Sequence, residues 1–325
     1  MLRIVPATAE RLQPALELLY SELPADARAQ RIAELRQEIE DEEFETEHLL
    51  VAEIDAQLVA VQRTILRDDD VGLVWPPVIN APLLKFLNGP SSEVIEDKLL
   101  TEAARHLDAA GAWIGQALLE AKSSREHAAM QRNGFARLTE LRFFERPLTA
   151  AASCPKRTPE PSMSYQPYRR SRNQNEFVKV LEATYRGSLD CPELNGVRDG
   201  QQSLKNHAAA GSFHSDMWRL YRCAGEDVGI LLMAKRPDQQ AWEVLYLGVV
   251  ESARGRGIGR AMLLDALDAA RDLKLQRLLI VADVRNIPAV SLYESLGFQP
   301  VSTRVAFVRL APPLPRDRTH DAAGQ

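Results

Sequence analysis

The sequence predicts an α+β protein made of two tandem domains on one plan, and three observations carry that reading. The chain has 325 residues, about twice the length of a common domain. The stretch from Pro147 to Ser162 is rich in Pro, Ala, Thr and Ser and has little periodicity, which reads as a linker. On either side of it the same succession of strands and helices can be read, and Asn133-Gly134-Phe135 stands where Leu296-Gly297-Phe298 stands, a shift of 163 residues. The expected boundaries are a first domain over 1–147, a linker over 148–163, a second domain over 164–311 and a flexible tail over 312–325.

Hydrophobic periodicity and turn residues justify each element in order. The first half reads as a strand at Leu2–Pro6, helices over 8–20 and Ala25–Glu43, a hairpin over His48–Leu66, a strand over 71–79, a helix over Ser92–Ala110, a strand over Trp113–Leu119, a helix over Ser124–Asn133 and a closing segment Phe135–Arg146. The second half offers a strand at Ser164–Tyr168, helices over Asn175–Tyr185 and Arg198–Ala210, and a hairpin of Met217–Arg222 and Asp227–Ala234 over Cys223-Ala224-Gly225-Glu226. A strand over Ala241–Val250 follows, then a helix over Gly257–Leu273, a strand over Arg277–Ala282, a helix over Pro288–Leu296 and two final strands through Leu310. The 257–273 helix is amphipathic: Leu263, Ala266, Leu267 and Ala270 form one stripe, with Asp265, Asp268 and Asp272 away from it.

Composition narrows the function classes. A hydrophobic content of 45% and a charged content of 26% describe an ordinary globular protein. The formal net charge of -5 argues against nucleic acid as a partner. Cys154, Cys191 and Cys223 stand alone, without a C-x-x-C pair or metal-ligand spacing, so neither a disulfide framework nor a metal is expected and the compartment reads as reducing, the cytoplasm. No apolar run approaches the ~18 residues that span a bilayer, so no membrane role is expected.

The most informative segment runs from the strand Ala241–Val250 into Arg254-Gly255-Arg256-Gly257-Ile258-Gly259-Arg260 and then a helix. Glycines let backbone N–H groups approach an anion, the helix N-terminus adds partial positive charge, and Arg254, Arg256 and Arg260 add full charges, so a polyphosphate ligand is expected. A dinucleotide oxidoreductase is the rival reading, because Gly255-x-Gly257 opens a helix and Asp283 ends the next strand. It fails in register: the third glycine position is Arg260, or Met262 counted from Gly257.

A second block, Asn286-Ile287-Pro288-Ala289-Val290-Ser291-Leu292-Tyr293-Glu294-Ser295-Leu296-Gly297-Phe298, follows the strand ending at Ala282. With it the chain resembles the GNAT superfamily of N-acetyltransferases. The family's acetyl-CoA motif, Gln or Arg, two residues, Gly, one residue, then Gly or Ala, is matched by Arg254, Gly257 and Gly259. Its later Asn-x-x-Ala-x-x-Leu-Tyr-x-x-x-Gly-Phe segment is matched by Asn286, Ala289, Leu292, Tyr293, Gly297 and Phe298.

The resemblance implies two GNAT-like domains, each a mixed, mostly antiparallel sheet flanked by helices, and acetyl transfer from acetyl-CoA to an amine by direct attack in a ternary complex. A small-molecule amine is the expected acceptor in preference to a protein. Residues 254–260 would bind the pyrophosphate, and the backbone near Leu247, Gly248 and Val249 would face the pantetheine arm and thioester. Gly248 suits a bulge that turns an N–H toward the carbonyl oxygen, or else marks close packing. Tyr293 would protonate the departing thiolate, with a core tyrosine as the plain alternative. Asn286 and Ala289 would line the cofactor arm, although Asn286 before Pro288 is also an ordinary helix cap.

Glu243, eleven residues before Arg254, matches the family's strand carboxylate that serves as general base, and a solvent-facing strand Glu is its alternative. In the segment joining the first two helices, Asp190 and Glu193 could attract a cationic amine. The competing class is a non-catalytic acyl-CoA-binding or scaffolding protein.

The same motif is missing from the first half. Shifted by 163 residues, Arg254, Gly257 and Gly259 fall on Ser91, Val94 and Glu96, and Tyr293 falls on Met130. Glu93, Glu96 and Asp97 would occupy the first turn of that helix and repel phosphate. The first domain is therefore expected to be a degenerate, non-catalytic copy, a tandem layout similar to that of two-domain members of the family.

Overall fold

A computed structural model describes residues 1–41, 45–67, 70–148, 162–195, 199–272 and 276–311. The chain divides into two compact units, Met1–Arg137 with Ala306–Gln325, and Leu138–Val305. Most of the expected linker (149–161) and the expected tail (312–325) lie outside the described residues, as do the ends of several expected helices at 42–44, 196–198 and 273–275.

The first unit begins with β1 (Leu2–Pro6), α1 (Ala9–Leu19) and α2 (Ala25–Glu40), followed by β2 (Leu49–Ile54) and β3 (Gln57–Leu66). The expected 71–79 strand is two pieces, β4 (Val71–Val74) and β5 (Val78–Ile79), and is followed by a short helix the sequence reading missed, α3 (Ala81–Phe86). Then come α4 (Ser92–Ala109), β6 (Ile114–Glu120) and α5 (Ser124–Arg132). Its sheet runs β1-β2-β3-β4-β6, with α1 and α2 burying Leu16 and Leu35 against Val51 and Val61 on one face. On the other face α4 buries Ile95, Leu99 and Ala103 against Leu50, Ala52 and Ala60.

β7 (Ala136–Pro147) belongs to the second unit from Leu138 onward. That unit continues with β8 (Met163–Pro167), α6 (Arg170–Tyr185), α7 (Gly200–Ala209), β9 (Ser212–Cys223), β10 (Glu226–Arg236), β11 (Ala241–Val249), α8 (Ile258–Asp272), β12 (Arg277–Asp283), α9 (Ile287–Ser295) and β13 (Gln299–Leu310). The sheet order is β13-β7-β12-β11-β10-β9-β8. β11 and β12 run parallel, while the other pairs that border them are antiparallel. The periodic stripe of α8 packs as expected: Met262, Leu263 and Leu267 are fully buried with Leu278 and Ile280. α6 and α7 cover the opposite face through Phe177, Leu181 and Leu204 on Trp218, Ile230 and Leu232.

Two expectations about strands are corrected. The second half ends in one 12-residue strand, β13, instead of two. The strand beside it is β7, which comes from the first half and pairs with β12 from Arg277↔Pro147 to Asp283↔Leu141. Conversely, β13 from Ala306 onward belongs to the first unit, where the Ala311 amide donates to Trp113 O at 3.0 Å. Each unit is thus finished by a strand of the other half.

The repeat is exact over the last three elements of each half. The 163-residue shift carries β6, α5 and β7 onto β12, α9 and β13 end for end. It also carries the end of α4 onto the end of α8, but the start of α4, Ser92, falls on Gly255. In the first unit the residues matching the glycine turn are wound into an extra helical turn, capped by Ser91, whose Oγ accepts from the Val94 amide at 3.5 Å. Glu93 alone of the three acids lies in the first turn. Glu96 and Asp97 are one turn further on, and α5 neutralises them. Arg125 and Arg132 reach buried Glu96 at 2.7 and 3.2 Å, and Arg132 Nε donates to Asp97 at 3.3 Å.

Candidate active site

The glycine turn has the geometry its composition predicts. Gly255 and Gly257 adopt φ of +74° and +79°, which other L-residues reach only under strain, and a Cβ at either would meet nothing within 4 Å. The backbone therefore faces open space. The amides of Ile258, Gly259 and Arg260 form the first turn of α8, where no intrahelical carbonyl precedes them, and the next amide, Ala261, closes on Gly257 O at 3.0 Å. Arg256 is exposed beside them, and Arg260 reaches Ser295 Oγ at 3.2 Å.

Arg254 has partners that the sequence reading did not foresee. Its guanidinium donates to Thr184 O, Arg186 O and Gly187 O at 3.0, 2.7 and 2.8 Å, and to Val249 O at 3.1 Å. It caps the C-terminal carbonyls of α6, where a cation also complements the helix dipole. Its charge anchors the turn to α6.

Next to the turn the sheet opens. β11 and β12 pair from Ala241↔Arg277 to Val244↔Ile280, and no further pairing joins them although β11 runs to Val249 and β12 to Asp283. The parting starts at a bulge. β10 pairs Leu232 with Tyr246 and Met233 with Val244, so Leu245 is the extra residue. The bulge is therefore at Leu245, and the expectation of one at Gly248 is corrected, since Gly248 pairs in register with Ile230. Gly248 serves close packing instead: a Cβ there would stand 2.6 Å from the Tyr246 ring and 2.7 and 2.8 Å from Thr184 Oγ1 and Cβ. Thr184 Oγ1 donates to Leu181 O at 2.6 Å and so accepts from the Tyr246 hydroxyl at 2.7 Å. Leu247 and Val249 are partly buried on the opposite face, with the α8 cluster.

Tyr293 is buried, edge-on to Phe144 of β7 with ring centroids 5.8 Å apart. Burial, then the Asp190 carboxylate, holds its phenol above the ordinary value, so it keeps its proton throughout the neutral range. Asn286 is the cap of α9, its Oδ1 accepting from the Ala289 amide at 3.3 Å. Glu243 lies two residues before the bulge, its carboxylate paired with Arg236 Nε at 2.5 Å, a partner the sequence reading did not foresee.

The acceptor segment is tied to the end of β12. Asp190 Oδ1 accepts from the Asp283 amide at 2.8 Å, and Asp283 Oδ2 accepts from the Cys191 amide at 3.1 Å. Glu193 is gripped by both Arg285 amino groups at 2.5 and 2.9 Å, which lowers its carboxyl below the usual range and spends its charge. Of the two acids expected to attract a cationic amine, Asp190 alone acts on Tyr293 electrostatically. The missed residues are Arg285 and Thr139, and Asp283 was read only in the rival dinucleotide role; a strand-end acid followed at once by Val284-Arg285 was the available signal.

Residues 189–298 match the Acetyltransferase (GNAT) family. The matched stretch lies within the second unit and includes its parted strands and its glycine turn. A mycothiol acetyltransferase of Rhodococcus jostii (strain RHA1) is 29% identical over 189 residues, 56% of this chain and 60% of the relative. Mycothiol acetyltransferases of several bacteria match over stretches spanning 17% to 60% of their own length. Among solved structures, a GCN5-related N-acetyltransferase from Sphaerobacter thermophilus superposes with a TM-score of 0.63 at 14% identity, covering 96% of each chain. A tandem GNAT protein from the clavulanic acid biosynthesis pathway does so at 0.51 and 15%, covering 97% of this chain and 100% of its own. The fold is thus two tandem GNAT-like units, each a mixed sheet flanked by helices.

Proposed function

We propose that the protein transfers the acetyl group of acetyl-CoA to the nitrogen of a small-molecule amine, by direct attack in a ternary complex formed on the second unit. The observation that carries this reading is the coincidence, at one end of β11, of an open glycine turn with the place where β11 and β12 part. The turn supplies amides and a helix N-terminus to a pyrophosphate. The parted strands leave backbone groups of Leu247 to Val249 for the arm that ends in the thioester. Asn286 and Ala289, at the start of α9, would line the cofactor arm.

The chain's own residues then divide the work. Asp190 receives the ammonium of the acceptor, and Glu243, through water, accepts its proton so that the nitrogen attacks as a neutral amine. Tyr293, held protonated by burial, donates to the sulfur as the C–S bond breaks. The names of the relatives put a mycothiol-related amine first among acceptors. Isolated free thiols at Cys191 and Cys223 suit a reducing compartment, which we take to be the cytoplasm.

The test is a turnover screen with acetyl-CoA against a mycothiol-related amine, glucosamine, spermidine and a lysine peptide, read as acetylated product by mass spectrometry. One amine class should be acetylated. Gly257→Glu places a carboxylate in the open space before the turn and should lower acetyl-CoA affinity by at least ~10²-fold. Unchanged acetyl-CoA binding by a folded Gly257→Glu protein refutes the assignment of the turn.

A further inference from the structure

Asp283 is fully buried, yet it is not placed to act on a substrate. Its Oδ1 accepts from Thr139 Oγ1 at 2.7 Å and from the Arg285 amide at 2.9 Å. Its Oδ2 accepts from the Cys191 amide at 3.1 Å and from Arg285 Nη2 at 2.8 Å. Burial alone would raise this carboxyl, but the Arg285 side chain and amide, Thr139 and the Cys191 amide outweigh it and hold it below its ordinary value. With both oxygens engaged it is a poor base. A charged, buried side chain with four kinds of donor is a rigid fastener.

What it fastens is the acceptor segment. Cys191 sits at φ +49°, in the left-handed region, immediately before Pro192, a conformation that persists only where surrounding contacts enforce it. The Cys191 amide is held by Asp283, and the neighbouring Asp190 carboxylate is held in turn by the Asp283 amide. The clasp closes at the end of β12 that has separated from β11. In the first unit the 163-residue shift places exposed Glu120 at the same point, so the buried acid occurs in the unit that keeps an open glycine turn. Thr139 completes the clasp from β7, a strand encoded ahead of the rest of the second unit.

Resting on the acetyl-transfer reading of this site, we propose that Asp283 is a positioning residue for the acceptor. Together with Thr139 it sets the backbone at Cys191 and so presents Asp190 to the amine beside Tyr293. The last strand of the first half thereby governs acceptor binding in the second. Neither Asp283 nor Thr139 touches the reacting atoms.

Thr139→Val keeps the shape and removes one hydroxyl donor. With the best-turned-over amine of the panel, the mycothiol-related amine tried first, the acceptor KM should rise about tenfold while the acetyl-CoA KM stays within about twofold. Thr139→Ser should restore the wild-type KM. Hydrogen exchange on the full chain should speed about tenfold at the Cys191 and Asp283 amides in Thr139→Val and not in Thr139→Ser. A parallel rise of both KM values, no rescue by Ser, or unchanged exchange at Cys191 overturns the proposal. Should Thr139→Val fail to fold, Asp190→Asn keeps the Oδ1 acceptor and must raise the acceptor KM with exchange unchanged; an unaltered acceptor KM refutes the role given to the clasp. If wild type binds acetyl-CoA but acetylates no amine, the acetyl-transfer reading falls, and the exchange experiment still decides the clasp.

Discussion

Gly248→Ala tests the packing account of the active site most directly. A Cβ at this position would lie 2.6 Å from the Tyr246 ring and 2.7 Å from Thr184 Oγ1, closer than real Cβ atoms approach other groups. Thr184 cannot retreat freely, because it is buried on α6 and its hydroxyl joins Leu181 O to the Tyr246 hydroxyl at 2.6 and 2.7 Å. Relief therefore requires β11 to move from α6 or the hydroxyl pair to break. Overpacking of this kind costs about 2 kcal/mol, and in a unit of this size that lowers Tm by about 4–8 °C. The strand shift also moves the β11 backbone at Leu247 to Val249, which the proposed reaction uses to hold the thioester arm, so kcat should fall about tenfold. Differential scanning calorimetry and acetyl-CoA turnover read the two effects. Gly259→Ala is the control for the stability effect, since its Cβ would have ordinary contacts no nearer than 3.7 Å. A Gly248→Ala protein with wild-type Tm and kcat would refute the packing argument and return this glycine to a purely backbone role.

Tyr293→Phe should lower kcat about 10²-fold with acetyl-CoA affinity unchanged, and because burial raises the phenol above its ordinary pKa of about 10, no basic limb below that pH should belong to it. A limb near pH 8 that disappears in the mutant contradicts the assignment. Glu243→Gln should lower kcat/KM about 10²-fold at neutral pH and recover as rising pH deprotonates the free amine, and a profile parallel to wild type at every pH removes Glu243 as the base. Asp283→Asn should destabilise the protein at pH 7 by about 2 kcal/mol, less than for a fully buried pair because the Arg285 side chain is 42% exposed. Since the folded carboxyl lies below its ordinary value, that difference is present above about pH 4 and fades as pH falls through the folded value, which urea melts at pH 7 and pH 3 will show.

What could be read in the sequence was local. The glycine turn was legible because two left-handed φ values leave a mark in residue type. The stripe of α8 was legible because a helix buries one side periodically. The 163-residue repeat was legible through Gly134 and Gly297, and β6, α5 and β7 superimpose on β12, α9 and β13 end for end. Long-range choices were not. Nothing in Ala136–Pro147 says which half it pairs with, and its copy Gln299–Leu310 was divided in two because a 12-residue strand is longer than most. The carbonyl partners of Arg254 were not legible, because Thr184 and Arg186 lie 70 and 68 residues away in the chain. Asp283 was noticed only as a possible ribose ligand, because its partners Thr139 and Cys191 lie 144 and 92 residues away in the chain.

The exchange of β7 and β13 has a consequence for how the protein is made. During synthesis the first unit lacks its closing residues, from Ala306 onward, until all of the second unit has left the ribosome. The earlier half must therefore wait with the flank of β6 unpaired, a sticky edge of the kind that invites association with other nascent chains. The second unit, by contrast, has its borrowed strand in hand before its own residues appear. A gene cut at the linker would leave each product short of one strand, so the duplicated halves can no longer be inherited or shuffled as separate modules.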